Sequence, residues 1–213
     1  DNTGNTNYFD NVKTLVTGTK SLVLDGGSTY LVTTTYYDDR YRPIQVLGDL
    51  FESTGGVEVI SNKYDFIGNV LQGRQQQTFN GVTTTVDRYY TYDHAGRLLT
   101  TEQEITGDSN GRVTLASMTY NETGQLIRKD LHKTTSTGPL QNVDYSYNIR
   151  GWLSRINNPD NISNDLFAMD LYYNNNSQVS PLSSQVQYNG NISGIRWKAG
   201  TESIKGYGFT YDA

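Results

Sequence analysis

Few side chains in this chain could perform acid–base, nucleophilic or metal chemistry. There is no cysteine, and the two histidines, His94 and His132, lie more than a full repeat apart, so a zinc site is not expected. Glu102 and Glu104 share one face of a predicted strand and resemble the carboxylate pair of a glycosidase. A solvated strand face is the simpler interpretation of these two acids. We therefore expect no catalytic residue, no cofactor and no metal, and predict that the chain is not an enzyme.

Two other patterns carry weaker chemical signals. Residues 1–5 and 108–111 are faintly similar to calcium-binding loops, but neither supplies the later bidentate acid, and both are interpreted as turns. Trp152, Trp197 and the 17 tyrosines could form platforms on which sugars stack. Packing within a sheet is the competing interpretation, and the regular spacing of the tyrosines favours it.

The strongest pattern is a tyrosine followed by Asp or Asn, and most copies continue with a glycine, a polar residue and an apolar residue. The steps between successive tyrosines are 27, 28, 28, 27, 41 and 23 residues. A fixed period in this range indicates a repeat architecture, in which each unit buries its surface only by stacking on its neighbours. The copies begin at Tyr37, Tyr64, Tyr92, Tyr120, Tyr147, Tyr188 and Tyr211.

The copy around Tyr92 indicates what each position does. β-branched and aromatic residues predict a strand up to Tyr92. Asp93 ends it, because its carboxylate can accept backbone N–H bonds from residues ahead. Gly96 provides the positive φ that a short hairpin loop requires, and the return strand follows. The residues assigned a structural role in this motif are Tyr37, Asp38, Tyr64, Asp65, Gly68, Tyr90, Tyr92, Asp93, Gly96, Arg97, Leu98, Tyr120, Asn121, Gly124, Tyr147, Asn148, Gly151, Tyr188, Asn189 and Gly190.

Two copies depart from this pattern. Tyr41 stands where the first copy should have glycine, so that turn must differ or carry strain. The copy at Tyr188-Asn189-Gly190 is two residues shorter and predicts a tight Asn-Gly turn.

The repeat predicts an all-β fold of long antiparallel hairpins in a curved or spiralling sheet. Residues 1–30 lack the motif and are predicted to form lead-in strands, and residues 31–156 are regular hairpin repeats. Residues 157–178 are predicted to be an insertion loop with an apolar anchor, which a short helix could provide. Residues 179–213 are further repeats, truncated in the last motif.

Composition excludes some classes of partner. The net charge is −5 with a pI near 5.0, and there is no run of Lys and Arg, so no nucleic acid partner is expected. No apolar run approaches the ~18 residues of a membrane-spanning helix, so no membrane insertion is expected.

Residues 90–98 resemble the repeat of the RHS/YD-repeat family, Tyr-x-Tyr-Asp-x-x-Gly-Arg-Leu, at every defined position. The resemblance covers roughly residues 31–213, and residues 36–46, 147–153 and 190–193 look like the Bacteroidota branch. It implies a hollow, cocoon-like shell wound from a spiralling sheet. In bacterial toxins of this family the cocoon encloses a C-terminal toxic domain, and in animal teneurins a similar shell is a scaffold for adhesion.

The resemblance therefore implies a noncatalytic shell segment of a secreted or cell-surface protein that encapsulates a C-terminal, toxin-like cargo domain. The family's self-cleavage core lies beyond the repeats, and no residue here matches it. Expected partners are the cargo domain or the remaining repeats of a longer chain, with secretion machinery or a cell-surface glycan as further possibilities. The implied location is the bacterial outer surface or the exterior, in some members by the type IX secretion route. The alternative is a surface adhesion or carbohydrate-binding module that uses exposed aromatic side chains.

Overall fold

The protein is all-β in the computed structural model, which describes residues 10–51, 55–133, 138–175 and 185–212. Fourteen antiparallel strands follow one another in chain order in an open sheet, and no helix occurs in the described residues. The hairpin architecture predicted from the repeat is confirmed. The strands are β1 Gly18–Leu22, β2 Tyr30–Tyr37, β3 Pro43–Asp49, β4 Val57–Tyr64, β5 Val70–Phe79, β6 Val82–Tyr92, β7 Leu98–Ile105, β8 Val113–Tyr120, β9 Leu126–Lys133, β10 Gln141–Tyr147, β11 Leu153–Ile156, β12 Phe167–Tyr172, β13 Gly194–Ala199 and β14 Lys205–Gly208.

Contacts divide the chain into two compact units, Asp1–Leu115 and Ala116–Ala213, with the boundary inside β8. In the first unit, each strand from β1 to β7 pairs antiparallel with the next. In the second, the same holds from β9 to β14. No described segment forms a helix long and apolar enough to cross a membrane.

A register shift recurs where the motif tyrosine ends its strand. Tyr37, Tyr64 and Tyr92 in the first unit and Tyr147 in the second each pair, after the shift, with the residue six positions ahead. A β-bulge of this kind locally disrupts the ladder and bends the strand. The repeated sequence thus produces the same irregularity at the end of each of these strands.

The buried interior is thin and partly polar. Ile44, Ala168 and Tyr173 are among the few buried apolar side chains, whereas Asp87 and Asp170 are buried at 6% and 4% exposure. Most strand residues are half-buried. This agrees with a sheet stabilised by pairs of side chains across neighbouring strands rather than by a thick apolar core.

The prediction of an insertion loop across residues 157–178 is wrong in its central part, which forms β12. Ala168 and Asp170 alternate with more exposed neighbours along this strand, as expected of a strand with one buried face. Asp170 pairs with Arg155 of β11 and Arg196 of β13. Because the residues on both sides of β12 are polar, the sequence did not reveal this strand, whose buried face is stabilised by ion pairs. Residues 176–178 lie outside the described part of the chain.

Candidate functional site: the motif turns and their tyrosine bridges

Five turns of the same geometry follow the motif tyrosines at residues 37–42, 64–69, 92–97, 120–125 and 147–152, and are called the motif turns here. In each, the backbone N–H of the Asp or Asn donates to the carbonyl four residues ahead. The N–H in the glycine position donates back to the Asp or Asn carbonyl. These pairs are Asp38–Arg42 and Tyr41–Asp38, Asp65–Asn69 and Gly68–Asp65, Asp93–Arg97 and Gly96–Asp93, Asn121–Gln125 and Gly124–Asn121, and Asn148–Trp152 and Gly151–Asn148.

The glycine position has a positive φ in every motif turn. It is 104° at Gly68, 77° at Gly96, 85° at Gly124 and 80° at Gly151. Tyr41 adopts 62° in the same position. The first turn therefore keeps the common geometry and carries the strain that a non-glycine residue brings to this conformation.

In each motif turn, the side chain of the Asp or Asn that follows the tyrosine caps the turn. Asp93 Oδ1 accepts the backbone N–H groups of Ala95 and Arg97, both at 2.9 Å, and Arg97 Nε donates to Asp93 Oδ2 at 2.6 Å. This is an Asx turn extended by an ion pair. Asn148 caps its turn through the N–H groups of Arg150 and Trp152.

In most motif turns, the residue five positions after the tyrosine has a side chain that can hydrogen-bond to the capping side chain. Arg42 and Arg97 donate to carboxylates, and Asn69 donates to Asp65 at 2.9 Å. Where the cap is an amide, Asn121 Nδ2 donates to Gln125 Oε1 at 2.9 Å. This pairing is readable from the sequence, because the two residues always stand four apart.

These hydrogen bonds hold the capping carboxylates ionised. A hydrogen bond from the backbone N–H of Arg97 lowers the pKa of Asp93, although burial of the carboxyl acts in the opposite direction. Desolvation alone would raise the pKa of Asp38 and Asp65, but hydrogen bonds from Arg42 and Asn69 outweigh it, and the pKa of both is lowered. A carboxylate with such donors is a structural acceptor and is poorly suited to act as a general acid.

Motif tyrosines connect each hairpin to the one before it. The hydroxyl donates to a backbone carbonyl 19 to 22 residues earlier in the chain, a contact called the tyrosine bridge here. For Tyr64, Tyr92, Tyr147 and Tyr173 the acceptor lies six residues after the preceding motif tyrosine. In the first unit the bridges join Tyr37 to Val16 at 2.8 Å, Tyr64 to Pro43 at 2.9 Å and Tyr92 to Val70 at 3.0 Å. In the second they join Tyr147 to Leu126 at 2.8 Å, Tyr173 to Leu153 at 2.9 Å and Tyr211 to Ile192 at 2.8 Å. The bridged hydroxyls of Tyr64, Tyr92, Tyr147 and Tyr173 remain protonated, because burial raises the pKa of each.

Longer side chains also link successive motif turns within a unit. Arg42 Nη1 donates to the carbonyl of Asp65 at 3.0 Å, and its guanidinium lies 4.6 Å from the ring centroid of Tyr64. Gln125 Nε2 donates to the carbonyl of Gly151 at 3.3 Å. The turns are thus coupled to their neighbours, as a repeat architecture requires.

Tyr173, and not Tyr188, continues this series after Tyr147. Tyr173 is 9% exposed and makes the bridge to Leu153, whereas Tyr188 is 62% exposed and offers its backbone carbonyl to Arg150. The next bridge ends on Ile192, which follows Gly190 with its φ of 101°. This copy of the motif is therefore divided: its tyrosine is Tyr173, its turn residues begin at Asn189, and the extra residues lie between them. The motif predicted at Tyr188 is the second half of this divided copy.

The repeat also reaches into the predicted lead-in. Val16 accepts the bridge from Tyr37, and Thr14, two residues before it, has a φ of 72°. These are the relative positions of the apolar and glycine residues of a motif turn. Asp10 then occupies the tyrosine position, 27 residues before Tyr37. The sequence does not reveal this degenerate copy, because it has neither tyrosine nor glycine. Its backbone hydrogen bonds also differ from those of the motif turns: Val12 N–H donates to the Asp10 carbonyl and Leu15 N–H to the Val12 carbonyl. Residues 1–9 lie outside the described chain.

Three of the remaining predicted motif residues are members of strands, and the fourth, Asn189, caps a turn. Tyr90 pairs with Thr101 and Leu98 with Tyr92 in the β6–β7 hairpin. Tyr120 ends β8 directly before its motif turn. Asn189 Oδ1 accepts the backbone N–H of Asn191 at 3.0 Å, which repeats the first capping bond of the motif turns.

The acidic side chains that could perform chemistry are engaged in ion pairs or in turn caps. Arg112 lies 3.8 Å from Glu102 and 3.7 Å from Glu104, and its guanidinium stacks 3.5 Å from the ring centroid of Tyr89. No cluster of three His, Asp or Glu residues with metal-binding geometry occurs in the described ranges. Asp108 caps its own turn through the N–H of Asn110.

The tryptophans pack against other aromatic rings. Trp152 lies 5.0 Å from the ring of Tyr173, and a Cβ added at Gly190 would approach it to 3.3 Å. Trp197 lies 5.3 Å from the ring of Tyr207, which is 60% exposed. Trp152 thus supports the divided turn, and the Trp197–Tyr207 pair is the more accessible of the two.

Comparison with known proteins shows similarity to solved structures only, and it is weak. No family model matches the chain, and no curated protein matches it. Among solved structures, the crystal structure of TcdB2-TccC3 without its hypervariable C-terminal region is similar over 83% of this chain, at 14% identity and a TM-score of 0.22. The match spans 14% of that chain.

Proposed function

We propose that this chain is a noncatalytic wall segment of an RHS/YD-type shell. The observation that carries the proposal is the tyrosine bridge, which recurs between successive hairpins in both units. Each bridge, capped turn and register shift depends on the same few positions of the repeat. Such a device makes a wall of uniform hairpins and requires no active site.

The wall serves to enclose a C-terminal, toxin-like cargo domain and separate it from its surroundings. The protein that carries the segment is secreted or displayed at the cell surface, as the resemblance to the Bacteroidota branch implies. The coupling of neighbouring turns supports this role, because a barrier must resist local opening, and cooperative hairpins open together rather than one at a time.

Intact mass spectrometry of the full-length protein tests the proposal. Under native conditions we expect a single mass, and under denaturing conditions two polypeptides, the shell and a released cargo. Protease treatment of the native protein should leave the cargo intact, whereas the same treatment after denaturation should digest it. A single uncleaved polypeptide whose C-terminal region is digested under native conditions would contradict encapsulation.

A second candidate function is adhesion through exposed aromatic side chains. Phe66, Tyr188 and Tyr207 are 80%, 62% and 60% exposed, and rings in such positions can stack on sugars or on a protein partner. A glycan array probed with the chain distinguishes this candidate. Binding that is lost in Tyr207→Ala would support it, and an array without signal would remove it.

A further inference from the structure

The second unit contains a cavity of about 400 Å³ beside the charge pairs of β11, β12 and β13. Its lining includes Ser146, Ser154, Asn148, Asn174 and Tyr173. The volume falls in the range of ~300–1,000 Å³ that small-molecule sites occupy. The function of the motif turns does not require this space.

A rigid ionic network forms the floor of the cavity. Asp170 accepts Arg155 Nε at 2.6 Å and Arg196 Nε at 2.8 Å, and its side chain is 5% exposed. Arg196 also binds Asp160, and the Tyr172 hydroxyl donates to Asp170 at 3.3 Å. Because every oxygen of Asp170 already has a donor, the network fixes the positions of both guanidinium groups.

The charges of this floor cancel. Two arginines face two aspartates, so the cavity offers neither a free cation to an anionic ligand nor a free carboxylate to a cationic one. Arg155 nevertheless retains donor capacity, because its Nε and Nη2 bind Asp170 and its Nη1 has no partner among the described residues. The floor thus presents directed hydrogen-bond donors without net charge.

The walls complement the floor with groups that both donate and accept. The hydroxyl of Ser146 and the amide of Asn174 have this dual capacity, whereas the Ser154 hydroxyl donates to the Ser146 carbonyl at 3.1 Å and can still accept. Asn148 uses its Oδ1 to cap the turn and leaves its Nδ2 as a donor. Leu171, Tyr172 and Tyr173 add apolar surface, but a hydrocarbon ligand would leave the serine, asparagine and arginine groups of the lining without hydrogen-bond partners.

We propose that this cavity is a binding site for a neutral, polyhydroxylated ligand of the saccharide class, of mono- or disaccharide size. Such a ligand alternates donors and acceptors as the lining does and carries no charge to be left uncompensated. The proposal does not depend on whether the wall encloses a cargo.

Saturation-transfer-difference NMR on the complete chain tests the site. The probes are glucose, galactose, N-acetylglucosamine, cellobiose and chitobiose, with glucuronate and inorganic phosphate as anionic probes. Ser146→Tyr places a ring in the cavity from an exposed strand position, and Thr91→Tyr is its control, since Thr91 directly precedes a motif tyrosine in the first unit as Ser146 does in the second. Asn174→Ala is a second variant, at an exposed position on the rim.

We expect at least one neutral sugar to bind the wild-type chain and Thr91→Tyr equally. Its affinity should fall at least tenfold in Ser146→Tyr and severalfold in Asn174→Ala. If Ser146→Tyr does not fold, the Asn174→Ala comparison decides the outcome. The proposal would be overturned by the absence of binding for every neutral probe, by unchanged affinity in the folded variants, or by tighter binding of phosphate or glucuronate.

Discussion

The hydroxyl of Tyr173 donates to the backbone carbonyl of Leu153 at 2.9 Å, the same contact that Tyr147 makes with Leu126. This equivalence assigns the divided motif to Tyr173, although the Tyr-Asn-Gly sequence at residue 188 looks like the better match. The bridges join residues about twenty positions apart, so they connect hairpins that the turn sequences alone do not connect.

We expect Tyr173→Phe to lower the free energy of unfolding by about 1 kcal/mol, because it removes one hydrogen bond and leaves a carbonyl without its donor. Tyr188→Phe is the matched control and should change stability by less than about 0.5 kcal/mol, because the side chain is exposed. Urea denaturation followed by tyrosine and tryptophan fluorescence measures both. A larger effect at Tyr188 would return the motif to the position that the sequence predicted.

Gly96→Val should destabilise the chain by about 1–3 kcal/mol, because φ is 77° at this position and a β-branched residue resists it. Gly96→Asn is the control at the same site, since asparagine tolerates the left-handed conformation far better. Thermal unfolding of the two variants should separate them clearly. Equal melting temperatures would mean that the turn does not need this conformation.

Thr14→Gly should stabilise the protein by about 0.5–1 kcal/mol. Thr14 has a φ of 72°, and relief of that strain exceeds the entropy that glycine adds to the unfolded chain. Thr19→Gly, in the extended strand β1, should instead be neutral or destabilising. If Thr14→Gly lowers the melting temperature, the segment from Asp10 to Val16 is not a degenerate copy of the motif turn.

The motif turns were predictable because they depend on local chemistry, whereas the contacts between hairpins were not predictable. The cap at Asp93 and the positive φ at Gly96 depend on residues at most four apart, and a sequence pattern specifies them directly. The bridge from Tyr92 to Val70 depends on the register of two hairpins, which no local pattern encodes. Spacing alone offered a clue to Tyr173, which lies 26 residues after Tyr147.

Asp93→Asn should destabilise the protein at neutral pH and have little effect in acid. Hydrogen bonds led by the N–H of Arg97 lower the pKa of Asp93 in the folded state. Its contribution to stability is therefore complete above the unfolded value near 3.8 and is lost as the pH falls through the lower folded value. The midpoints of urea denaturation of Asp93→Asn and the wild-type chain, measured at about pH 7 and about pH 3, test this. Glu122→Gln, a turn-tip change of equal charge, is the control, and an Asp93→Asn deficit that persists unchanged in acid would refute the assignment.

Asp170→Asn should be the most disruptive single change to the second unit. Burial alone would raise the pKa of Asp170, but hydrogen bonds from Arg155 and Arg196 outweigh it, so the lowered pKa keeps the carboxylate ionised. Removing its charge leaves two guanidinium groups facing each other across a side chain that is 5% exposed, and loss of one member of a buried pair costs about 3 kcal/mol.

Asp130→Asn is the matched comparison. Its partner Arg128 is 41% exposed and Asp130 itself 27%, and such accessible pairs contribute only about 0–1 kcal/mol. Chemical denaturation of both variants should therefore give a difference of about 2 kcal/mol or more, with the larger loss in Asp170→Asn. Equal losses would mean that water reaches Asp170 and screens its charge, and the network would then be unable to act as the rigid floor of the cavity.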